Sequence, residues 1–117
     1  MPDYKQINPY LSVIQKGNIF AIPITHYNME MAALVRMAFR DLKPDCVAVE
    51  LAETMSLQLM HAAARLPDIS LIVSQGANLE PVYYLAEPCD AAFEGLRSAL
   101  EGNVRAFCID LDVDLYP

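Results

Sequence analysis

Pro44 and Pro67 each close a run of residues at helical spacing, and each is followed at once by a short apolar stretch. This punctuation constrains the fold more than any other feature of the chain. Proline disfavours helical angles at the residue before it, so a helix ends there and extended chain can begin. Ahead of Pro44, Met31, Leu34, Val35, Ala38, Phe39 and Leu42 recur at helical intervals. Asn28 is a fitting N-cap for that helix, with Glu30 placed favourably in its first turn. Ahead of Pro67, Met55, Leu59, Ala62, Ala63 and Leu66 form the inner stripe of a helix over 55–66 that Thr54 can cap.

The apolar stretches supply strands. The run "DCVAVEL" (45–51) has the pattern of a strand covered on both faces. A first strand is expected over 18–25, a third at "ISLIVS" (69–74), a short edge strand at "VYYL" (82–85) and a last one at "RAFCID" (105–110). Pro88 is expected to open a third helix, where its missing N–H costs nothing. Ala92, Phe93, Leu96 and Leu100 then face inward, and Gly102 supplies a left-handed C-terminal cap. Residues 1–17 lack a clear period and read as an arm ending at Gly17. The alternation predicts an α/β fold with a mostly parallel sheet of four to five strands and helices on its faces, a Rossmann-like three-layer half-domain. At 117 residues the chain is expected to form one domain, residues 1–117.

Composition excludes several functions. The net charge is −7 and the eight basic residues are scattered singly, which disfavours nucleic acid and anionic membrane surfaces as partners. No stretch approaches the roughly 20 continuous apolar residues of a membrane span. The start, "MPDYKQINPY", has neither a basic n-region nor an apolar h-region, so a cytoplasmic location is expected. Cys46, Cys89 and Cys108 show no CxxC spacing and read as small apolar residues in a reducing compartment. Cys89, beside Pro88, is the one at which a helix dipole could stabilise a thiolate.

In an open parallel sheet, ligands bind beyond the carboxyl ends of the strands. Three titratable residues fall at such ends: His26 after the first strand, Glu50 in the second and Asp110 at the last. Each has a plainer reading. His26 can simply close its turn by a hydrogen bond. Glu50 sits in a run expected to be buried, where an unpaired carboxylate is costly and needs a partner or a cation. Asp110 is followed at alternate positions by Asp112 and Asp114, either a solubilising edge or a cation site. Glu94, Arg97 and Glu101 are spaced for a solvated salt-bridge face, and His61 reads as structural. Gln75-Gly76-Ala77 is too short for a phosphate loop, and no serine lies in a GxSxG elbow.

Taken together, "PITHYN", "LKPDCVAVEL" and "ALEGNVRAFCIDLD" resemble the N-terminal half of the superfamily containing erythromycin esterase, TraB, ChaN and the TIKI proteases, and a related bacterial family of unknown function. The resemblance covers about residues 18–112. It implies that His26 matches the first histidine motif, Glu50 the glutamate of a PD-x-hydrophobic-E strand and Asp110 a later aspartate, with Arg97 near a family arginine. Pro23 stands where the family has glycine. The family's second histidine motif lies further downstream, so the chain is read as an N-terminal piece or a reduced homologue.

Two functions are expected from these readings. The first is a hydrolase-like site acting on a small molecule or peptide, with His26, Glu50 and Asp110 catalytic or holding Mn²⁺, Zn²⁺ or Fe²⁺. The second is a non-catalytic α/β binding or oligomerisation module, with a homodimer covering an exposed edge or apolar face.

Overall fold

The computed structural model describes residues 5–7, 10–75 and 80–110. Its elements are β1 (Lys5–Ile7), β2 (Tyr10–Lys16), β3 (Ile19–Ala21), α1 (Met29–Leu42), β4 (Cys46–Ala52), a 3-10 turn (Glu53–Met55), α2 (Ser56–Ala64), β5 (Ser70–Gln75), β6 (Pro81–Ala86), α3 (Ala91–Glu101) and β7 (Arg105–Asp110).

The helices follow the punctuation of the sequence, with changes at their ends. Asn28 caps α1 as expected, its Oδ1 accepting from the N–H groups of Glu30 (3.0 Å) and Met31 (3.2 Å). Lys43, in the left-handed region at φ 50°, closes α1 by donating its N–H to the Phe39 carbonyl. Thr54 lies in the 3-10 turn, and α2 begins at Ser56 without a side-chain cap. Asp90 caps α3, which starts three residues after Pro88. Gly102 keeps right-handed angles, and Asn103 takes the left-handed position instead, at φ 55°.

The sheet expectation is overturned. Among the described residues the strands form three separate groups: an antiparallel meander β1-β2-β3, a parallel pair β4-β7 and an antiparallel pair β5-β6. Consecutive parallel strands need a crossover of a dozen or more residues. Only residues 76–80 separate β5 from β6, too few for one, so these two strands run antiparallel from Ser70↔Ala86 to Gln75↔Pro81. The arm expected over residues 1–17 contains β2, which turns into β3 through Gly17-Asn18 with Lys16 opposite Ile19. Gly17 holds φ +60°, as the first residue of a two-residue hairpin turn requires. The first strand is therefore shorter than expected, and Pro23 lies beyond its end, unable to donate to a ladder.

Helices cover one face of the parallel pair. α1 and α3 pack side by side, with α3 lying across β4 and β7. Gly95 permits this approach: a Cβ there would stand 3.2 Å from Cγ1 of Val49. Val49, Leu51, Phe93, Leu96 and Cys108 fill the space between helix and sheet, and Leu59 joins them from α2. Ile72, Val82 and Tyr84 of the hairpin pack against the same core. The alternation of β4 and β7 leaves Cys46, Ala48, Glu50, Arg105, Phe107 and Ile109 exposed on the opposite face. A three-layer arrangement would bury that face; here it is open. Among the described residues, no helix is long and apolar enough to cross a membrane.

Candidate functional site

β3 ends at Ala21, and the chain crosses Pro23 to reach the α1 cap at Asn28. This short passage carries His26 and Tyr27 to the first turn of α3. There Nδ1 of His26 lies 2.8 Å from Oδ1 of Asp90. The same carboxyl group accepts from two backbone amides, the Tyr27 N–H at Oδ1 (3.1 Å) and the Phe93 N–H at Oδ2 (3.1 Å). Asp90 is 1% exposed, whereas half of the His26 side chain meets solvent.

The donors around Asp90 decide its role. Two amides point at its oxygens, and it sits at the positive end of the α3 dipole, where negative charge is favoured. It is the acceptor in the pair, so Nδ1 of His26 carries the proton and donates it. A neutral ring that donates from Nδ1 carries its lone pair on Nε2. A carboxylate–imidazole pair with one nitrogen tied and the other free can take up and return a proton.

Tyr27 adds a second sign of constraint. Its φ of 58° lies in the left-handed region, which is rare for a bulky residue and costs about 1–3 kcal/mol. The bond from its N–H to Asp90 helps to hold that conformation. Strained backbone beside a fixed histidine is an arrangement seen at sites where positioning matters.

The other sequence-predicted residues do not join His26 in one centre. Glu50 is exposed on the open face of β4. Asp110 follows exposed Ile109 at the end of β7, and strand alternation places it on the helix-covered side with Cys108. Glu50 and Asp110 therefore stand on opposite faces of the parallel pair. Among the described residues, no three His, Cys, Asp or Glu side chains come together as a metal ion requires. The trio His26, Glu50 and Asp110 thus does not fit Mn²⁺, Zn²⁺ or Fe²⁺, the more so because Nδ1 of His26 is committed to Asp90. Asp112, Asp114 and most of the Gln75-Gly76-Ala77 loop lie outside the described residues.

The charged set on α3 also differs from expectation. Glu94 is 2% exposed and lies between two arginines, Nη1 of Arg36 at 2.9 Å and Nη1 of Arg97 at 3.5 Å. Arg97 also pairs with Glu101 at 3.0 Å. This is a buried carboxylate tying α1 to α3 rather than a solvated face. The hydrogen bond and charge of Glu94 push the Arg36 guanidinium further up from an already high value. A shallow concavity of about 200 Å³ opens between α2 and α3, lined by residues that include Leu66, Arg97 and Leu100 but neither His26 nor Asp90.

Asp90 is the residue that sequence reasoning missed. Its signal is local: an aspartate directly before "AAFEGL" is a favourable N-cap, next to Cys89. Nothing local connects it to His26. Comparison with known proteins finds no matching family model, no matching curated protein and no matching solved structure.

Proposed function

We propose that the chain provides a histidine general acid–base site for a hydrolase-like reaction, with His26 as the proton-transferring group and Asp90 as the residue that positions it. One observation carries the reading: a half-exposed imidazole held at 2.8 Å by a buried carboxylate that two backbone amides already orient. The motif "PITHYN", which resembles the first histidine motif of the erythromycin esterase, TraB, ChaN and TIKI superfamily, supports hydrolysis as the reaction class. On this reading water is the nucleophile and Nε2 takes its proton as the acyl carbon is attacked. The proton then passes from the imidazolium to the leaving group. Asp90 keeps the ring in the required tautomer and stabilises the cation that forms transiently. No step runs through Glu50, Asp110 or a metal ion.

The test is turnover of a panel of small carboxylic esters and short peptides by the wild-type chain, His26→Ala and Asp90→Asn. General acid–base catalysis contributes about 10²–10⁴-fold, so His26→Ala is expected to lose at least two orders of magnitude. Asp90→Asn is expected to fall between the two. A panel that is not turned over above the buffer rate, or a rate indifferent to His26→Ala, contradicts the proposal.

A further inference from the structure

The open face of the β4–β7 pair has a polarity along its length. Cys46 stands opposite Arg105, and Ala48 opposite Phe107, in the parallel register. Glu50 and Ile109 follow at the other end. Phe107 is 48% exposed and Ile109 63%. The face thus begins in a cation, runs through exposed apolar side chains and ends in an anion. Among the described residues neither Arg105 nor Glu50 forms an ion pair, whereas Arg36, Arg40 and Arg97 each do.

We infer that this face docks on the same face of a second copy of the chain, the two strand pairs stacked and running antiparallel about a two-fold axis near Ala48 and Phe107. Charge selects the occupant and the orientation. Strands rise about 3.3 Å per residue, so Arg105 and Glu50 lie roughly 13 Å apart along the face, on either side of its apolar centre. An antiparallel two-fold brings Arg105 of each copy to the Glu50 end of the other, forming the complementary contact twice. A parallel stacking would set like charges together, and such juxtapositions reject the wrong arrangement. A two-fold contact uses one patch on both copies and must be self-complementary, as this patch is. Stacked sheets pack about 10 Å apart, close enough for Phe107 and Ile109 to interdigitate with their counterparts. The inference is independent of the His26–Asp90 site.

The experiment is sedimentation equilibrium on the full chain from low to high micromolar concentration, for the wild type, Arg105→Glu, Glu50→Arg and the double reversal. Both positions are exposed, so folding is preserved, which far-UV circular dichroism checks. The wild type is expected to be a dimer. Each single reversal is expected to weaken it by about tenfold or more, and the double reversal to recover most of that loss. Phe107→Asp, which places a charge at the apolar centre, is expected to give monomer. A wild-type monomer throughout the range overturns the inference. So does a dimer indifferent to both single reversals, or a double reversal no tighter than the singles; these outcomes would assign the face to another occupant.

Discussion

Asp90 holds His26 across 64 residues of sequence, Oδ1 to Nδ1 at 2.8 Å, while its other oxygen caps the helix that follows it. One buried side chain thereby joins the β3–α1 passage to the first turn of α3. The stability this residue supplies can be measured directly.

Asp90→Ala removes a helix cap and leaves the half-buried amide of Tyr27 and the buried amide of Phe93 without acceptors. A lost cap costs about 1 kcal/mol and an unsatisfied buried donor about 1–3 kcal/mol. Asp90→Ala is expected to destabilise the fold by about 2–4 kcal/mol in urea unfolding. Asp90→Asn keeps an acceptor oxygen and is expected to cost less than half as much. Equal losses for the two variants would contradict this, showing that the oxygen and volume asparagine retains do not stand in for the carboxylate.

The left-handed backbone at Tyr27 makes a contrasting prediction. Glycine adopts φ near +58° freely, whereas a β-branched residue is strongly opposed to it. Tyr27→Gly is expected to leave stability within about 1 kcal/mol of wild type, because relief of strain offsets the entropy that glycine adds to the unfolded chain. Tyr27→Val is expected to lower it by about 1–2 kcal/mol. Thermal unfolding of both variants checks the ordering, and a reversed order would contradict it.

The link between α1 and α3 rests on Glu94. Arg36→Ala leaves that buried carboxylate with Arg97 at 3.5 Å as its remaining charged neighbour. The Arg36 side chain is half-exposed, which discounts its worth, so a loss of about 1–2 kcal/mol is expected rather than the 3–5 kcal/mol of a fully buried pair. Replacing both residues with apolar ones, Arg36→Met with Glu94→Leu, is expected to recover most of that loss. A double variant less stable than Arg36→Ala alone would show the ion pair to be strongly net-favourable.

Burial pushes the Cys108 thiol up, and a hydrogen bond from Ser56 only partly opposes this. The folded chain therefore holds that proton more tightly than the unfolded chain does. Its contribution to stability is fully present below the unfolded thiol pKa, about 8.5, and declines as pH rises through the higher folded value. Iodoacetamide in dilute protein at pH 8 is expected to modify exposed Cys46 well before Cys108. Replacing Cys108 with Ala should flatten the alkaline fall in stability. A Cys108 that reacts as fast as Cys46 would contradict its burial.

Much of the chain was legible from its punctuation. Pro44, Pro67 and the helical stripes locate α1, α2 and the runs that become β4 and β5, because proline geometry and apolar spacing act locally. The α1 cap at Asn28 was legible for the same reason. Strand partners were not, since pairing depends on what the intervening chain can span. The five residues between Gln75 and Pro81 exclude a parallel crossover, and that count was the available clue to the antiparallel hairpin. An apolar run implies cover on both faces, but alternation along β4 puts Glu50 on the open side. His26 lies between a strand and a helix, as expected, but its partner Asp90 is on another element and leaves no local trace.

The central claim is that Asp90 prepares Nε2 of His26 to react. The chain has two histidines, and exposed His61 on α2 serves as an internal reference. The rate of acylation of each imidazole by diethyl pyrocarbonate at pH 7, followed by mass spectrometry, compares them in one molecule without knowledge of the substrate. Loss of the partner that orients a metal-ligating histidine costs about 10–100-fold in affinity or activity, which sets the scale for what such a partner does to an imidazole. His26 is therefore expected to react about tenfold faster than His61, and Asp90→Asn to bring the two rates together. Equal rates in the wild type, or a His26 rate unchanged by Asp90→Asn, would contradict the account.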